Sequence, residues 1–294
     1  MGDDARTPPA DVLRVLDRLG MAPVAFTPVG GFPRWHVDRI TFRVDLADGT
    51  TVKVRRVTKA ARPTRAAALV RALDDPRLAP PLAMEGRVAV EAWVAGTPLQ
   101  PTTITTQRVH EAADLLASLH ARSDVPGHPF RRTGSVAPVR ERALRHLAEL
   151  HTGGVLHAHE RQELTARIGR DLPIRATRGV VHGDLCPDNL VVTDDGALVS
   201  VDNERVRIDF LDHDLARTWT RWPMTRDHER EFFARYRAHG RDAPPRATED
   251  AWRICTTVKS ACTLRRTPDT GAALARTLLD RLFEHLHAAE EVDG

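Results

Sequence analysis

The stretch His182-Gly183-Asp184-Leu185-Cys186-Pro187-Asp188-Asn189, with the apolar run and Val201-Asp202 that follow it, constrains this chain more than any other segment. Val180-Val181 leads into it as a β-branched pair, and Leu190-Val191-Val192 leads out. Asp194-Asp195-Gly196 is a turn signal, and Ala197-Leu198-Val199-Ser200-Val201 is a second apolar strand. An Asp-Gly dipeptide between two such runs is the strongest short-range cue for a β-hairpin. A hairpin brings its outer ends together, so the loop carrying Asp184 and Asn189 is expected to meet Asp202. Mg²⁺ is a hard ion that shares itself between one or two carboxylates, waters and substrate phosphates. Asn189 and Asp202 are therefore the candidate ligands of a metal-bound nucleoside triphosphate. Asp184 is the candidate for the group that orients an acceptor hydroxyl and takes its proton, which is sufficient for phosphoryl transfer once charge is neutralised. Asp188, Asp194 and Asp195 read as turn formers, and His182 as a packed brace of the loop.

The segments HGDLCPDNLVV, VSVDNE and DHDLART resemble the aminoglycoside phosphotransferase and choline kinase-like superfamily, whose fold is that of protein kinases. Two upstream pieces occur in the matching order: Glu91-Ala92-Trp93-Val94-Ala95-Gly96-Thr97-Pro98-Leu99, and Leu116-Ala117-Ser118-Leu119-His120-Ala121. The resemblance runs from about Val29 to Trp222. It implies a bilobal α+β fold, with a small antiparallel-sheet lobe over residues 1–95 that binds nucleotide. A mainly helical lobe over 96–294 would carry the catalytic loop and the acceptor site. It further implies Asp184 as catalytic base, Asn189 and Asp202 on the metal, and Asp214-Leu215-Ala216 on a helix beneath the loop. Lys53 would contact the α- and β-phosphates, with Arg55 as its substitute. The backbone from Glu91 through Trp93 to Val94 would offer an edge to adenine, so ATP and Mg²⁺ are the implied cofactors. Two features depart from the family pattern. Between Arg62 and Leu73 there is no carboxylate to pair with the lysine, and Val29-Gly30-Gly31-Phe32-Pro33-Arg34 lacks a G-x-G-x-x-G arrangement.

The rest of the chain is read from periodicity. Val12 to Leu19 has helical spacing behind Asp11. Val24–Phe26, Trp35–Val37, Ile40–Val44 and Thr50–Arg55 read as strands, with turns at Gly30-Gly31 and Asp48-Gly49. Alternation puts Val52 and Val54 on one face, Lys53 and Arg55 on the other. Arg62–Leu73 reads as an Ala-rich helix and Arg87–Val94 as a strand. Helices are expected over Gln107–Arg122, Pro138–Leu150, Glu160–Ile168, Leu211–Trp222, Arg226–His239, Thr248–Arg265 and Gly271–Ala288, with loops at Gly127–Val136 and Arg241–Arg246. Trp219 and Trp222, three apart, are expected in the core. His146, His151, His157 and His159 lack the spacing of a zinc site.

Composition sets limits on function. At 294 residues, 41% hydrophobic and 28% charged, the chain suits one globular protein with a large core. Its polar, acidic N-terminus has no export signal, and no apolar run reaches membrane-spanning length, so a cytoplasmic location is expected. Cys186, Cys255 and Cys262 form no C-x-x-C pair and fit a reduced compartment. Only three of the 43 basic residues are lysines, and the net charge of +3 is spread along the chain. No basic stripe with aromatics supports nucleic-acid binding. The expected activity is transfer of the γ-phosphate of ATP to a hydroxyl of a small natural product, antibiotic-like and of the aminoglycoside type by resemblance. Two alternatives stand beside it. One is phosphorylation of Ser or Thr in a ribosomally made peptide with an acidic leader, before dehydration. The other is a nucleotide-binding pseudokinase that serves as a scaffold.

Overall fold

The structure, a computed structural model, describes residues 8–29, 40–57, 61–240 and 245–293. In chain order the first half holds α1 (Ala10–Arg18), β1 (Pro23–Pro28), β2 (Ile40–Leu46), β3 (Thr51–Arg56), α2 (Ala61–Leu73), β4 (Pro81–Glu85), β5 (Val88–Ala92), β6 (Thr97–Pro98), α3 (Thr106–Ala121), β7 (Thr133–Ser135) and α4 (Ala137–Thr152). The second half holds α5 (Ala158–Asp171), β8 (Arg175–Val181), β9 (Leu190–Val192), β10 (Leu198–Ser200), β11 (Arg207–Phe210), α6 (Leu211–Arg221), α7 (Arg226–Arg237), α8 (Arg246–Leu264) and α9 (Gly271–Asp293). The strand expected at Trp35–Val37 and the Gly30–Arg34 loop lie outside the described residues, as does most of the loop expected at Arg241–Arg246.

The chain forms two compact units. The first comprises Met1–Ile104, Asp124–Pro129 and Pro187–Arg207; the second comprises Thr105–Ser123, Phe130–Cys186 and Ile208–Gly294. These contacts divide the chain differently from a single cut at 95/96. The segment with Asn189 and Asp202 packs with the N-terminal sheet, and Asp184 belongs to the helical unit.

In the first unit an antiparallel sheet has the order β1-β2-β3-β5-β4. Alternation along β2, β3 and β5 sends Phe42, Val44, Val52, Val54, Val88 and Val90 to one face, where they pack with Val12, Val15 and Leu16 of α1. Burying each such side chain contributes about 1.5–3 kcal/mol. Asp11 in the first turn of α1 is tied to Arg56 at 2.9 Å, joining the helix to the end of β3. The opposite face carries Lys53 and Arg55. β4 starts at a proline and sits at the sheet edge, where a missing ladder donor is tolerated.

The β9–β10 hairpin forms as its sequence predicts, with Leu190 opposite Ser200. It is stitched to the rest of the unit on two sides. β6 pairs with β9, and Ser200 donates to the Arg77 carbonyl at 2.7 Å and accepts from Ala79 at 2.8 Å. Gly96 precedes β6 with φ +141°, and a Cβ there would run into the Val192 carbonyl oxygen. The glycine of the Glu91–Leu99 segment is thus required by close backbone approach.

The second unit is built on α8, which is buried almost continuously from Asp250 to Val258. Around it pack residues of α4, α5, α6 and α9, including Leu147, Leu164, Trp219 and Leu282. Trp219 and Trp222 are buried, as their spacing predicts. The guanidinium groups of Arg253 and Arg281 lie 4.8 and 4.2 Å from the Trp219 ring, and the indole N–H donates to Glu229 at 3.0 Å. β7, β8 and β11 form a small sheet. β7 falls inside the loop expected at Gly127–Val136; its Thr-Gly-Ser sequence has no apolar alternation to announce a strand. Among the described residues no helix is long and apolar enough to cross a membrane.

Cys255 and Cys262 are buried in this unit. Burial pushes the Cys255 thiol up to about 12. Burial, with the nearby Glu149 carboxylate, does the same for Cys262. Because the thiolate is the reactive form, neither is expected to be alkylated by iodoacetamide at neutral pH in the folded protein. Peptide mass spectrometry with and without denaturant checks this; labelling of both without unfolding would contradict the packing.

Candidate active site

Within the first unit the hairpin ladder continues one step past its strands, because Val201 donates to the Asn189 carbonyl at 2.9 Å. Residue 189 is therefore level with residue 201, and Asp202 follows directly. Asp202 adopts a left-handed backbone (φ 59°, ψ 40°), which costs a non-glycine residue about 1–2 kcal/mol. The next residue holds that bend in place. The buried Asn203 side chain accepts from the Ser200 hydroxyl at 2.9 Å and donates to the Ala79 and Ser200 carbonyls.

Facing this bend is the polar face of β3. Lys53 Nζ lies 2.7 Å from Asp202 Oδ1 and 3.8 Å from Glu91 Oε2. Arg55 reaches three carboxylates: Glu91 at 2.9 Å, Asp202 at 3.0 Å and Glu204 at 3.0 Å. Its side chain is 1% exposed. Burial opposes the charge of Arg55, yet the carboxylates of Glu91, Asp202 and Glu204 outweigh it and raise the pKa above the ordinary arginine value.

The sequence left the partner of Lys53 unassigned; its shortest contact is to Asp202, and the second carboxylate near it, Glu91, stands opposite it in the β3–β5 register and is itself held by Arg55. Glu91 lies in an interior strand between Lys53 and Pro81, so its side chain is what it brings to the cluster. Trp93 and Val94 lie just beyond the end of β5 and are half-buried; the Arg43 guanidinium sits 5.4 Å from the Trp93 ring centre. Arg55, the sequence-based substitute for the phosphate contact, is instead enclosed by carboxylates. The donors on this side are all oxygen: the Asn189 amide and the Asp202 and Glu204 carboxylates. That set fits Mg²⁺ and does not suit a softer ion.

In the second unit β8 ends at Val181 and the chain turns through His182 and Gly183, the latter at φ +78°. Asp214, in the first turn of α6, accepts from both backbone N–H groups, His182 at 2.8 Å and Gly183 at 2.8 Å. Asp214 meets His120 Nε2 at 3.2 Å, and His120 Nδ1 meets the Tyr236 hydroxyl at 2.7 Å. The His182 ring braces the loop by accepting from the Asp184 N–H through Nδ1 at 3.2 Å, which makes that nitrogen the unprotonated one.

Asp184 is held by its side chain as well. Its Oδ1 accepts from Arg217 at 2.8 Å and from Arg221 at 3.1 Å, and Arg217 also donates to the Gly183 carbonyl at 2.6 Å. The two arginines are four apart on α6, hence on one face. Sequence reasoning gave no role to Arg217, Arg221, His120, Tyr236 or Glu204, although His120, Glu204 and Arg217 stand in segments that carry the resemblance. Arg217 and Arg221 were discoverable, because they stand three and seven residues after Asp214 on the same helical face. Glu204 carries no local signal; its meaning depends on a strand distant in sequence.

Elsewhere in the second unit His146, Glu149 and Cys262 bring metal-type donor atoms within 4.8 Å of one another. Arg265 and Arg266 already hold Glu149, and burial keeps the Cys262 thiol protonated. That chemistry does not favour a cation.

No curated protein sequence gives a significant match. Solved structures do. The choline kinase LicA from Streptococcus pneumoniae superimposes with a TM-score of 0.68 at 13% identity, covering 93% of this chain and 98% of that one. The macrolide 2'-phosphotransferase MphH from Brachybacterium faecium gives 0.64 at 16%, covering 92% and 97%. An aminoglycoside-3'-phosphotransferase of type VIII gives 0.60 at 22%, covering 86% and 98%. At these identities the likeness establishes the bilobal, protein kinase-like α+β fold. The profile of the phosphotransferase enzyme family matches residues 10–254, a span that takes in the Lys53 strand, the Asp184 loop, the Asp202 bend and the α6 brace. The chain belongs to the phosphotransferase enzyme family and is a phosphotransferase with a hydroxyl acceptor.

Proposed function

We propose that the protein transfers the γ-phosphate of ATP to a hydroxyl of a small natural product, antibiotic-like and of the aminoglycoside type. The observation that carries this reading is the fixing of Asp184: its loop is anchored through the backbone by Asp214, and its carboxylate is oriented by Arg217 and Arg221. A carboxylate held this way suits a group that aligns a hydroxyl and accepts its proton. Transfer through a loose transition state asks for alignment and charge neutralisation more than for a strong base. Asn189 and Asp202 hold Mg²⁺, which supplies charge neutralisation at the phosphates when bound. Lys53 contacts the α- and β-phosphates, and the backbone at Trp93 and Val94 meets the base. An intact Lys53, Asp184, Asn189 and Asp202 set speaks for an enzyme rather than a scaffold, since a scaffold has no chemical need of all four.

The test is ADP release and mass gain of one phosphate with purified protein, Mg²⁺ and ATP. The acceptors are aminoglycosides, macrolides, choline and a Ser/Thr peptide with an acidic leader. The reading expects transfer to a small-molecule hydroxyl that disappears in Asp184→Ala. Transfer confined to the peptide moves the assignment to the peptide kinase. Tight ATP binding without transfer, unchanged by Asp184→Ala, moves it to the scaffold.

A further inference from the structure

We propose that Arg55 is a positioning residue for the metal-binding side of the site, a buried cation that fixes the Asp202 and Glu204 carboxylates; the inference rests on the phosphotransfer reading. Moving an ion out of water costs several kcal/mol even after relaxation. A guanidinium that is 1% exposed therefore persists only where its hydrogen bonds are well made. Through its two terminal nitrogens Arg55 hydrogen-bonds Asp202 and Glu91 and pairs with Glu204, carboxylates from two separate stretches of chain, while its Nε–H has no partner among the described residues. One nitrogen bridges Asp202 and Glu204, and the other holds Glu91. Only the planar fork of arginine spans such a set; a lysine is a single point charge on a flexible stem.

The side of Arg55 towards α2 is apolar. Ala67 and Val70 line a small cavity together with Arg55, Glu91, Asn203 and Glu204. Where the resemblance calls for a helix carboxylate paired with the strand lysine, this chain has small apolar side chains, and the charge has moved into the sheet. β3 supplies a second cation and β5 the anion. The two cations have different duties. Lys53, 12% exposed, is shared with the phosphates during transfer. Arg55 is shielded from solvent and stays on the carboxylates throughout, so the strained bend at Asp202 keeps a fixed counter-charge.

Groups that orient metal ligands from behind typically govern metal affinity by about 10–100-fold. Arg55→Met is therefore expected to raise the Mg²⁺ concentration for half-maximal ADP binding by about 10–100-fold, measured by calorimetry at a series of Mg²⁺ concentrations. ADP affinity in EDTA should change little, because Lys53 remains. Arg55→Lys should restore only part of the Mg²⁺ response. If Arg55→Met does not fold, as judged by circular dichroism, Arg55→Gln, which keeps a polar end but neither the charge nor the reach of the fork, is read by the same criterion. Equal losses with Mg²⁺ and with EDTA, or an unchanged Mg²⁺ response, overturn the positioning role while wild-type binding of Mg·ADP leaves the phosphotransfer reading standing. A wild-type protein that binds no nucleotide overturns that reading first and this inference with it.

Discussion

Replacing Asp184 with asparagine is expected to lower kcat by about 10²–10⁴-fold, the range contributed by a positioned general base, with nucleotide affinity close to wild type. The substitution is nearly isosteric and can keep an oxygen at the Oδ1 position, where both arginines donate. The loop itself is held elsewhere, by Asp214 on the His182 and Gly183 N–H groups and by Arg217 on the Gly183 carbonyl. What is lost, on the proposed function, is the negative charge that would align the hydroxyl and receive its proton. Arg221→Gln removes one of the two contacts to Oδ1 and is expected to lower kcat less, with Arg217 still in place. Steady-state ADP release with the best acceptor, alongside calorimetry of ADP binding, separates the effects. Asp184→Asn turnover within a few-fold of wild type would remove Asp184 from the chemistry.

Much of the site was legible because it is local. The β9–β10 hairpin announces itself by two apolar runs around Asp-Gly, and pairing follows without reference to the rest of the chain. The alternation of Thr51–Arg56 places Lys53 and Arg55 on one face before any partner strand is known. His182 as a brace and Trp219 with Trp222 as core follow from neighbours within a few residues. What depends on register between distant strands was not legible. Glu91 reads from sequence as part of a backbone edge for adenine; only the pairing of Lys53 with Glu91 reveals its carboxylate as the counter-charge to the strand cations. Glu204 gains its role from Arg55, 149 positions earlier in the chain. The short strands β4 and β7 escaped notice for another reason. A proline start and a three-residue Thr-Gly-Ser run carry too little periodicity to compete with turn propensity.

Asp214→Asn is expected to differ from Asp184→Asn by lowering stability and turnover together. Asp214 is 1% exposed, and its two oxygens accept from different backbone N–H groups, Oδ2 from His182 and Oδ1 from Gly183. An asparagine amide offers one oxygen and one NH₂ in place of those two oxygens. Whichever way it turns, the NH₂ points at an N–H donor. The His120 ring, held between Asp214 and the Tyr236 hydroxyl, also loses the negative partner of its Nε2. Breaking a buried charged network by removing one partner costs about 3–5 kcal/mol, a large share of the 5–15 kcal/mol that separates a typical folded protein from its unfolded state. Thermal melts should therefore show a clear drop in Tm for Asp214→Asn and little change for Asp184→Asn. Because the Asp184 loop hangs on the two N–H groups in question, the fraction that remains folded should also turn over slowly. Phe at position 120 in place of His keeps the ring volume while leaving both N–H bonds to Asp214, so His120→Phe should fall between the two in Tm and stay near wild type in kcat. An Asp214→Asn protein that melts like wild type would mean that the loop is held by something other than the α6 carboxylate.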